Sequence, residues 1–275
     1  MPELANPRAE RVKAVRALAG RSVRQRTGRF LVEGPQSVRE AVRFAAGQVR
    51  DVYLTEAAAQ RYDEIVRDAQ AAGLPVRLGT PEVLEAMSAD AQGVVAVLER
   101  RPTTLDELFR GAPRLVAVLA NVRDPGNAGT VIRAADAAGA DAVVLAGESV
   151  DPLNPKAVRS TAGSLFHLPV VAGVALAPTL ERLRAEGLLV LAADGSGEHD
   201  LDDLQDAAAG GAPAGVPDLR TPTAWLFGNE AWGLLPTDRE LADAAVRVPI
   251  RGRAESLNLA TAATVCLYAS SRAQR

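Results

Sequence analysis

The chain has 275 residues, 48% of them hydrophobic and only 4% aromatic, so it can form one large or two medium domains with a core of mainly Ala, Val and Leu. A single cysteine excludes a disulfide framework and a multi-cysteine metal site, and no apolar run has the length of a signal peptide or of a membrane span. We therefore expect a cytoplasmic protein without metal or membrane partner, and its net charge of −3 gives no overall signal for nucleic acid.

Basic residues are concentrated in the first thirty positions, where Glu3 and Glu10 are the only acidic ones. Such a cluster predicts a surface that binds phosphate backbones, although a solvated arginine-rich helix would have the same composition. The full cluster is Arg8, Arg11, Lys13, Arg16, Arg21, Arg24, Arg26 and Arg29. We predict that its last four arginines, Arg21, Arg24, Arg26 and Arg29, contact nucleic acid.

The first half of the chain has the pattern of a small mixed α/β domain. We predict strands at 30–33, 52–55, 74–78 and 94–98, and helices at 36–46 and 57–72. The charged segment 100–114, with two prolines and a glycine, is the best candidate for a linker. These features predict an N-terminal domain at 1–100, a linker at 101–113 and a second domain at 114–275.

The second half alternates apolar strands with helices, beginning with the fully apolar run LVAVLA at 115–120. Such a run is typical of a strand that is buried on both faces. The predicted strands are 115–120, 142–145, 168–171, 188–193, 225–227 and 245–248, and the predicted helices are 128–138, 155–161, 178–186 and one from Ser256. This alternation indicates a parallel sheet with helices on both faces, which binds ligands beyond the carboxyl ends of its strands.

The segment 194–218 is acidic and rich in Ala, Gly and Pro, which predicts a mobile surface loop. Its opening, Gly195-Ser196-Gly197, could belong to a dinucleotide fingerprint and hence to an oxidoreductase. The absence of a third glycine at the required spacing argues against that interpretation.

Three motifs follow predicted strands: NVRDPGNAGTVIR at 121–133, LFGNEAWG at 226–233 and VRVPIRGRAESLNLATAA at 246–263. Each alone has a plain structural interpretation. Arg133 could form an ion pair, Glu230 could lie on a surface turn, and Ser256 or Asn258 could cap the last helix. In the first motif, Asn127 has the position of a helix N-cap, and Arg133 follows it by six residues.

In their order and spacing, these motifs resemble those of the SpoU/TrmH family of the SPOUT superfamily, RNA 2′-O-methyltransferases that use S-adenosylmethionine. RFLVEGP at 29–35 and QGVVAV at 92–97 resemble the family's N-terminal substrate-binding domain. The resemblance implies a C-terminal parallel-sheet domain with a trefoil knot, a smaller mixed α/β RNA-binding domain, and a homodimer. The separate N-terminal module favours large-subunit (23S) ribosomal RNA as the substrate. Transfer RNA, and an inert RNA-binding module, remain alternatives.

The resemblance also implies the site residues. Those of catalysis are Arg133, Asn127, Glu230, Ser256 and Asn258, and those that bind the cofactor are Ala193, Gly228, Asn229, Val248, Ile250 and Leu257. No histidine lies in the motifs, and an arginine stays protonated, so we expect Arg133 to stabilise the developing oxyanion rather than to act as a base. We interpret His167 and His199 as structural or surface residues, and Cys266 as a core residue.

Overall fold

The computed structural model describes residues 3–275. They form two compact units, one of residues 3–101 with Leu153–His167, the other of Pro102–Pro152 with Leu168–Arg275. None of the helices in this described range is long and apolar enough to cross a membrane.

The helices and strands alternate along most of the chain. The helices are α1 Glu10–Ala17, α2 Arg21–Thr27, α3 Pro35–Phe44, α4 Glu56–Arg61, α5 Asp63–Ala71, α6 Pro81–Met87, α7 Leu105–Arg110, α8 Pro125–Ala138, α9 Pro155–Ser160, α10 Leu176–Ala185, α11 Leu201–Gly210, α12 Pro236–Arg239 and α13 Leu259–Ala273. The strands are β1 Arg29–Glu33, β2 Val49–Leu54, β3 Val76–Leu78, β4 Val94–Glu99, β5 Leu115–Ala120, β6 Ala142–Ala146, β7 Val170–Val174, β8 Leu189–Ala193, β9 His199–Asp200, β10 Thr223–Phe227 and β11 Ala244–Arg247.

The first unit is built on a four-stranded sheet in the order β1-β4-β2-β3. Strand β4 runs antiparallel to both neighbours, whereas β2 and β3 are parallel. Because successive side chains of a strand point to opposite faces, Leu31 and Val32 lie in separate buried clusters. The predicted helix at 57–72 is two helices, since Tyr62 leaves helical geometry at φ −119° and ψ 49°. The predictions also lacked α1, α2 and α6.

The segment Leu153–His167 packs within the first unit, although it lies between β6 and β7 of the second. Val158 on α9 is fully buried in the cluster that contains Val32. Arg159 pairs with the buried Glu33 and, at 2.6 Å, with Asp90. The chain therefore returns to the first unit after β6, a feature that the hydrophobic pattern did not predict.

The second unit is built on a seven-stranded sheet in the order β7-β6-β5-β10-β8-β11-β9. All neighbouring pairs are parallel. Every residue of β5 is buried, with Leu119 in one core cluster and Val118 in the other, as expected of a strand covered on both faces. The predicted α/β fold with a parallel sheet and a separate mixed sheet is confirmed. The trefoil knot stays a prediction.

Two segments have more structure than predicted. The predicted loop at 194–218 contains β9 and α11, so the prediction of a mobile loop was wrong for this part. Leu201 and Leu204 of α11 are 1% exposed, because the helix contributes its few large apolar residues to the core. The predicted linker contains α7, whose capping box joins Thr104 and Glu107.

Candidate functional site

The first motif follows β5 and forms the start of α8. Asp124 is the N-cap of this helix, since its Oδ1 accepts a hydrogen bond of 2.8 Å from the backbone N–H of Asn127. Pro125 occupies the first turn, where its missing N–H costs nothing. The predicted cap at Asn127 was therefore wrong, and Asn127 lies inside the first turn with its side chain available for another partner.

The second motif follows β10 and is tied to the first by two side chains. The Glu230 carboxylate accepts hydrogen bonds from the backbone N–H groups of Asp124, at 3.0 Å, and Arg123, at 3.3 Å. Asn229, only 6% exposed, donates from Nδ2 to the carbonyl of Asn121 at 2.7 Å. These bonds fix the turn after β10 against the start of α8.

Gly228 allows this turn to pass close to its own strand. A Cβ atom at Gly228 would lie 2.2 Å from the carbonyl carbon of Gly233, a distance that no side chain can occupy. Asn229 and Gly233 exchange two backbone hydrogen bonds of 2.9 Å, which close a narrow turn. A glycine at 228 is thus required by packing against the backbone of the turn.

The third motif follows β11 and joins the first through Asn258. Its Oδ1 accepts a hydrogen bond of 2.9 Å from Ala260 N–H and so caps α13, while its Nδ2 donates to Asn127 Oδ1 at 3.1 Å. The last helix therefore begins at Leu259, three residues later than predicted. Ser256 belongs to the exposed loop before it.

The loops after β8, β10 and β11 enclose a cavity of about 320 Å³. Eight of the predicted site residues line it: Ala193, Gly228, Asn229, Glu230, Val248, Ile250, Ser256 and Leu257. The sequence predictions did not include Asp194, Glu255, Leu259 and Ala262, which line it too. Their positions, directly after β8 and around the start of α13, could have identified them as residues of the site.

Arg133 lies apart from the other predicted site residues. It lies on the exposed side of α8 and is not part of the cavity wall. Within residues 3–275, its guanidinium has no hydrogen bond or ion pair. Asn127 also lies outside the wall, but Asn258 connects it to the loop that forms the wall.

Sequence reasoning gave no role to Asn121, the residue directly after β5. Its backbone is left-handed at φ 56°, and its Oδ1 accepts a hydrogen bond of 2.9 Å from Glu148 N–H. Its carbonyl receives the bond from Asn229. An asparagine at the end of a buried strand is a signal for such a turn, because this residue type tolerates positive φ.

The cavity fits a methyl donor that combines a flat ring with charged groups. Val248, Ile250 and Leu259 offer apolar surface, and Asp194 and Glu255 offer negative charge. The volume lies at the lower end of the range of about 300–1,000 Å³ for small-molecule sites. Among the described residues, no group of three or more His, Cys, Asp or Glu could hold a metal ion.

Residues 114–268 match the SpoU rRNA Methylase family. The chain belongs to this family. Residues 31–104 match the RNA 2′-O ribose methyltransferase substrate-binding domain. The chain is 32% identical over 273 residues to the Bacillus subtilis 23S rRNA (guanosine(2553)-2′-O)-methyltransferase RlmP, covering 98% of each chain. The crystal structure of the SpoU methyltransferase AviRb from Streptomyces viridochromogenes in complex with AdoMet matches with a TM-score of 0.80 and 32% identity, over 96% of this chain and 98% of that one.

The AdoMet-bound rRNA methyltransferase of Sinorhizobium meliloti is also similar, with a TM-score of 0.77 and 30% identity over 98% of this chain and 97% of that one. The predicted family, enzyme class and cofactor are confirmed: this is a SpoU-family RNA 2′-O-methyltransferase that uses S-adenosylmethionine. RNA is therefore its substrate, as predicted.

The arginines predicted to bind RNA do not share one environment in this SpoU enzyme. Arg21 and Arg26 are exposed, and Arg29 is half-buried in β1. Arg24 is only 3% exposed, and its Nη1 donates to the carbonyls of Leu18 and Ala19 at 3.0 and 2.7 Å. The prediction that Arg24 contacts RNA is therefore corrected. Because a buried guanidinium needs hydrogen-bond acceptors, the carbonyls after α1 stabilise Arg24 in this position.

The residues that we interpreted as structural lie outside the cavity. Cys266 is fully buried in the core beside α8, and burial raises the pKa of its thiol well above the usual range. His167 lies 3.3 Å from Glu40 in the first unit, and His199 lies in β9. Gly195 lines the cavity, but the family match assigns it to a SpoU fold and not to a dinucleotide fingerprint.

Proposed function

We propose that this enzyme methylates the 2′-hydroxyl of one ribose in 23S ribosomal RNA, in the cytoplasm. The observation that carries the proposal is a cavity at the carboxyl edge of the parallel sheet. The second and third motifs line this cavity, and hydrogen bonds to Glu230 and Asn258 join the first motif to them. Relatives from Bacillus subtilis and Streptomyces viridochromogenes, each 32% identical, are named as methyltransferases of 23S rRNA. The two-domain match supports a structured RNA as substrate.

A ribose 2′-hydroxyl is a weak acid and a weak nucleophile, so the enzyme must stabilise the negative charge that develops on its oxygen. S-adenosylmethionine, when bound, supplies a methyl group on a positively charged sulfur. We assign the stabilising role to Arg133, which stays protonated. We assign the orientation of the ribose to Asn127, at the start of α8, and to Asn258, at the start of α13, which are hydrogen-bonded to each other. Glu230 holds the start of α8 in place through the backbone of residues 123–124.

A second copy of the chain completes the site in this proposal. Arg133 is exposed and unpaired within residues 3–275, so a single chain offers its charge no partner. On α13, which packs beside α8, the apolar side chains of Val265 and Tyr268 are 39% and 46% exposed. A homodimer formed by these two helices would cover both side chains and carry Arg133 toward the partner's cavity.

Mixed dimers test this arrangement. Ala262 lines the cavity on α13, so Ala262→Phe should block the cofactor, and Thr261→Phe on the exposed neighbouring position is the matched control. Arg133→Ala should lower turnover by about 10²-fold or more with nearly unchanged cofactor binding. If Arg133 acts across the dimer, Arg133→Ala and Ala262→Phe chains that are inactive alone should regain activity when mixed. Persistent inactivity of dimers shown to be mixed would refute action across the interface.

The basic N-terminal end is proposed to hold the RNA, with Arg24 removed from the predicted set. Arg21→Ala, Arg26→Ala and Arg29→Ala combined should weaken RNA binding and flatten its salt dependence, by about 0.7–0.9 units of log–log slope per lost phosphate contact. Affinity for S-adenosylmethionine should stay unchanged. An unchanged slope in filter-binding titrations would show that these arginines only cover a solvated surface.

Mapping of 2′-O-methyl positions in total RNA, from cells with and without the gene, identifies the substrate. Loss of one methylation in 23S rRNA is the expected result. Loss from a transfer RNA would replace the proposed substrate. No change at any position, together with retained RNA binding, would indicate a module that binds RNA without methylating it.

A further inference from the structure

Trp232 is exposed at the rim of the cavity, which is an unusual place for the largest side chain. Its side chain is 48% exposed, while its neighbours Glu230, Ala231 and Gly233 line the cavity. The other tryptophan, Trp225, is fully buried and donates from Nε1 to Ser270 at 2.9 Å. Trp225 therefore has a role in the core, whereas Trp232 has none.

The Trp232 ring is held in a defined orientation. The Arg123 guanidinium carbon lies 5.4 Å from the centre of the ring, within the range of a cation–π interaction. Arg123 makes two further contacts, since its Nη2 pairs with Glu148 at 2.7 Å and its backbone N–H donates to Glu230. The turn 229–233 is closed by two backbone hydrogen bonds. The ring thus keeps one face against Arg123 while half of its surface faces solvent.

We propose that Trp232, backed by Arg123, stacks on an unpaired RNA base next to the ribose that is methylated. Proteins recognise single-stranded RNA largely by stacking splayed bases on aromatic rings and guanidinium planes. A ribose that enters the cavity rim must belong to a nucleotide whose neighbours are accessible, and Trp232 is the exposed aromatic residue on the turn that forms this rim. The proposal rests on the proposed RNA substrate and adds a residue that positions it.

The test compares Trp232→Ala, Trp232→Phe and Trp232→Leu in steady-state kinetics, with ribosomal RNA from cells that lack the gene as substrate. Trp232→Ala should raise KM for RNA by about 5- to 150-fold, the range for loss of one stacked base, with little change in kcat. Phe retains an aromatic face and should restore most of the affinity, whereas Leu is apolar without such a face and should not. Affinity for S-adenosylmethionine, measured by calorimetry, should be unchanged in all three.

Leu235 provides the matched control, because it lies three residues away, is 45% exposed and does not line the cavity. Leu235→Ala should leave KM unchanged. A wild-type KM in Trp232→Ala, or equal rescue by Leu and Phe, would overturn the stacking role. Dissociation of Trp232→Ala into monomers, detected by sedimentation, would also overturn it and assign the ring to an interface. If the wild-type enzyme fails to methylate this RNA, the proposed function fails instead.

Discussion

Asn258 has two contacts that substitution can separate. Its Oδ1 caps α13 through Ala260 N–H, and its Nδ2 joins the third motif to the first through Asn127. Asn258→Ala removes both contacts. Asn258→Ser keeps a good N-cap, because a serine hydroxyl also accepts from the first turn, but it is too short to replace the amide that reaches Asn127.

We expect the two variants to differ in their loss of stability. Loss of an N-cap costs about 0.5–2 kcal/mol, and Asn258 is exposed, so the bond to Asn127 contributes at most about 1 kcal/mol. Asn258→Ala should therefore lower the free energy of unfolding by about 1–2 kcal/mol and the Tm by roughly 2–8 °C. Asn258→Ser should lower the free energy by less than about 1 kcal/mol. Both should reduce kcat by about tenfold or more, because both release Asn127.

Thermal unfolding and methyl transfer to ribosomal RNA, measured on the same preparations, separate these effects. The decisive observation is a stable Asn258→Ser enzyme with low kcat. If Asn258→Ser instead retains wild-type turnover, the bond between Asn258 and Asn127 has no part in catalysis. The loss of activity in Asn258→Ala would then be a consequence of a frayed helix.

Three further predictions concern packing. Arg24→Ala should lower the free energy of unfolding by about 1–3 kcal/mol, because it leaves the buried carbonyl of Leu18 without its hydrogen bond. Arg21→Ala should change the free energy of unfolding by less than about 0.5 kcal/mol. Equal effects of the two substitutions in urea unfolding would contradict the role assigned to Arg24. Gly228→Ala should lower both the affinity for the cofactor and, by about 1–3 kcal/mol, the free energy of unfolding, because its Cβ would meet the backbone of Gly233. Calorimetry measures the affinity and thermal unfolding the stability. Unchanged stability would show that the turn adapts. Cys266 should not react with an alkylating reagent until the protein is denatured, because it is buried and the pKa of its thiol is raised; mass spectrometry of native protein modified at this residue would refute that.

The sequence predicts the second unit well because its strands are buried on both faces. Such strands are continuous apolar runs, and the prediction for 115–120 matches Leu115–Ala120 of β5 residue by residue. Eight of the eleven site residues that the family resemblance implies line the cavity, whereas Arg133, Asn127 and Asn258 do not. Which residue starts each helix is less predictable, because Asp124 and Asn127 are both good caps and the choice depends on the geometry of the turn after β5.

The errors share a physical cause, which is burial that the local composition does not determine. Arg24 belongs to a basic cluster in the sequence, yet the carbonyls of residues 18 and 19 determine its position. In the sequence, Val158 lies between β6 and β7 of the second unit, yet its side chain is buried in the core of the first unit. In 194–218, two leucines of α11 suffice to anchor a helix in an acidic segment. The composition of a segment cannot detect such contacts, because each depends on the geometry that a turn or a core gives to its particular partners.

The site itself is built from contacts between residues that are far apart in the sequence, which explains why the three motifs are widely separated along the chain. Strand β10 lies between β5 and β8, so the turn that follows it is a neighbour of the turn after β5, although Glu230 and Asp124 are 106 residues apart. Asn258 and Asn127 are 131 residues apart. Only the completed sheet brings these loops together, and one or two hydrogen bonds then fix each loop. Function should therefore be more sensitive than stability to loss of any one of these bonds, since a shift of about 1 Å in a reacting group can cost about 10²-fold in rate, whereas one exposed hydrogen bond contributes only about 1 kcal/mol to folding.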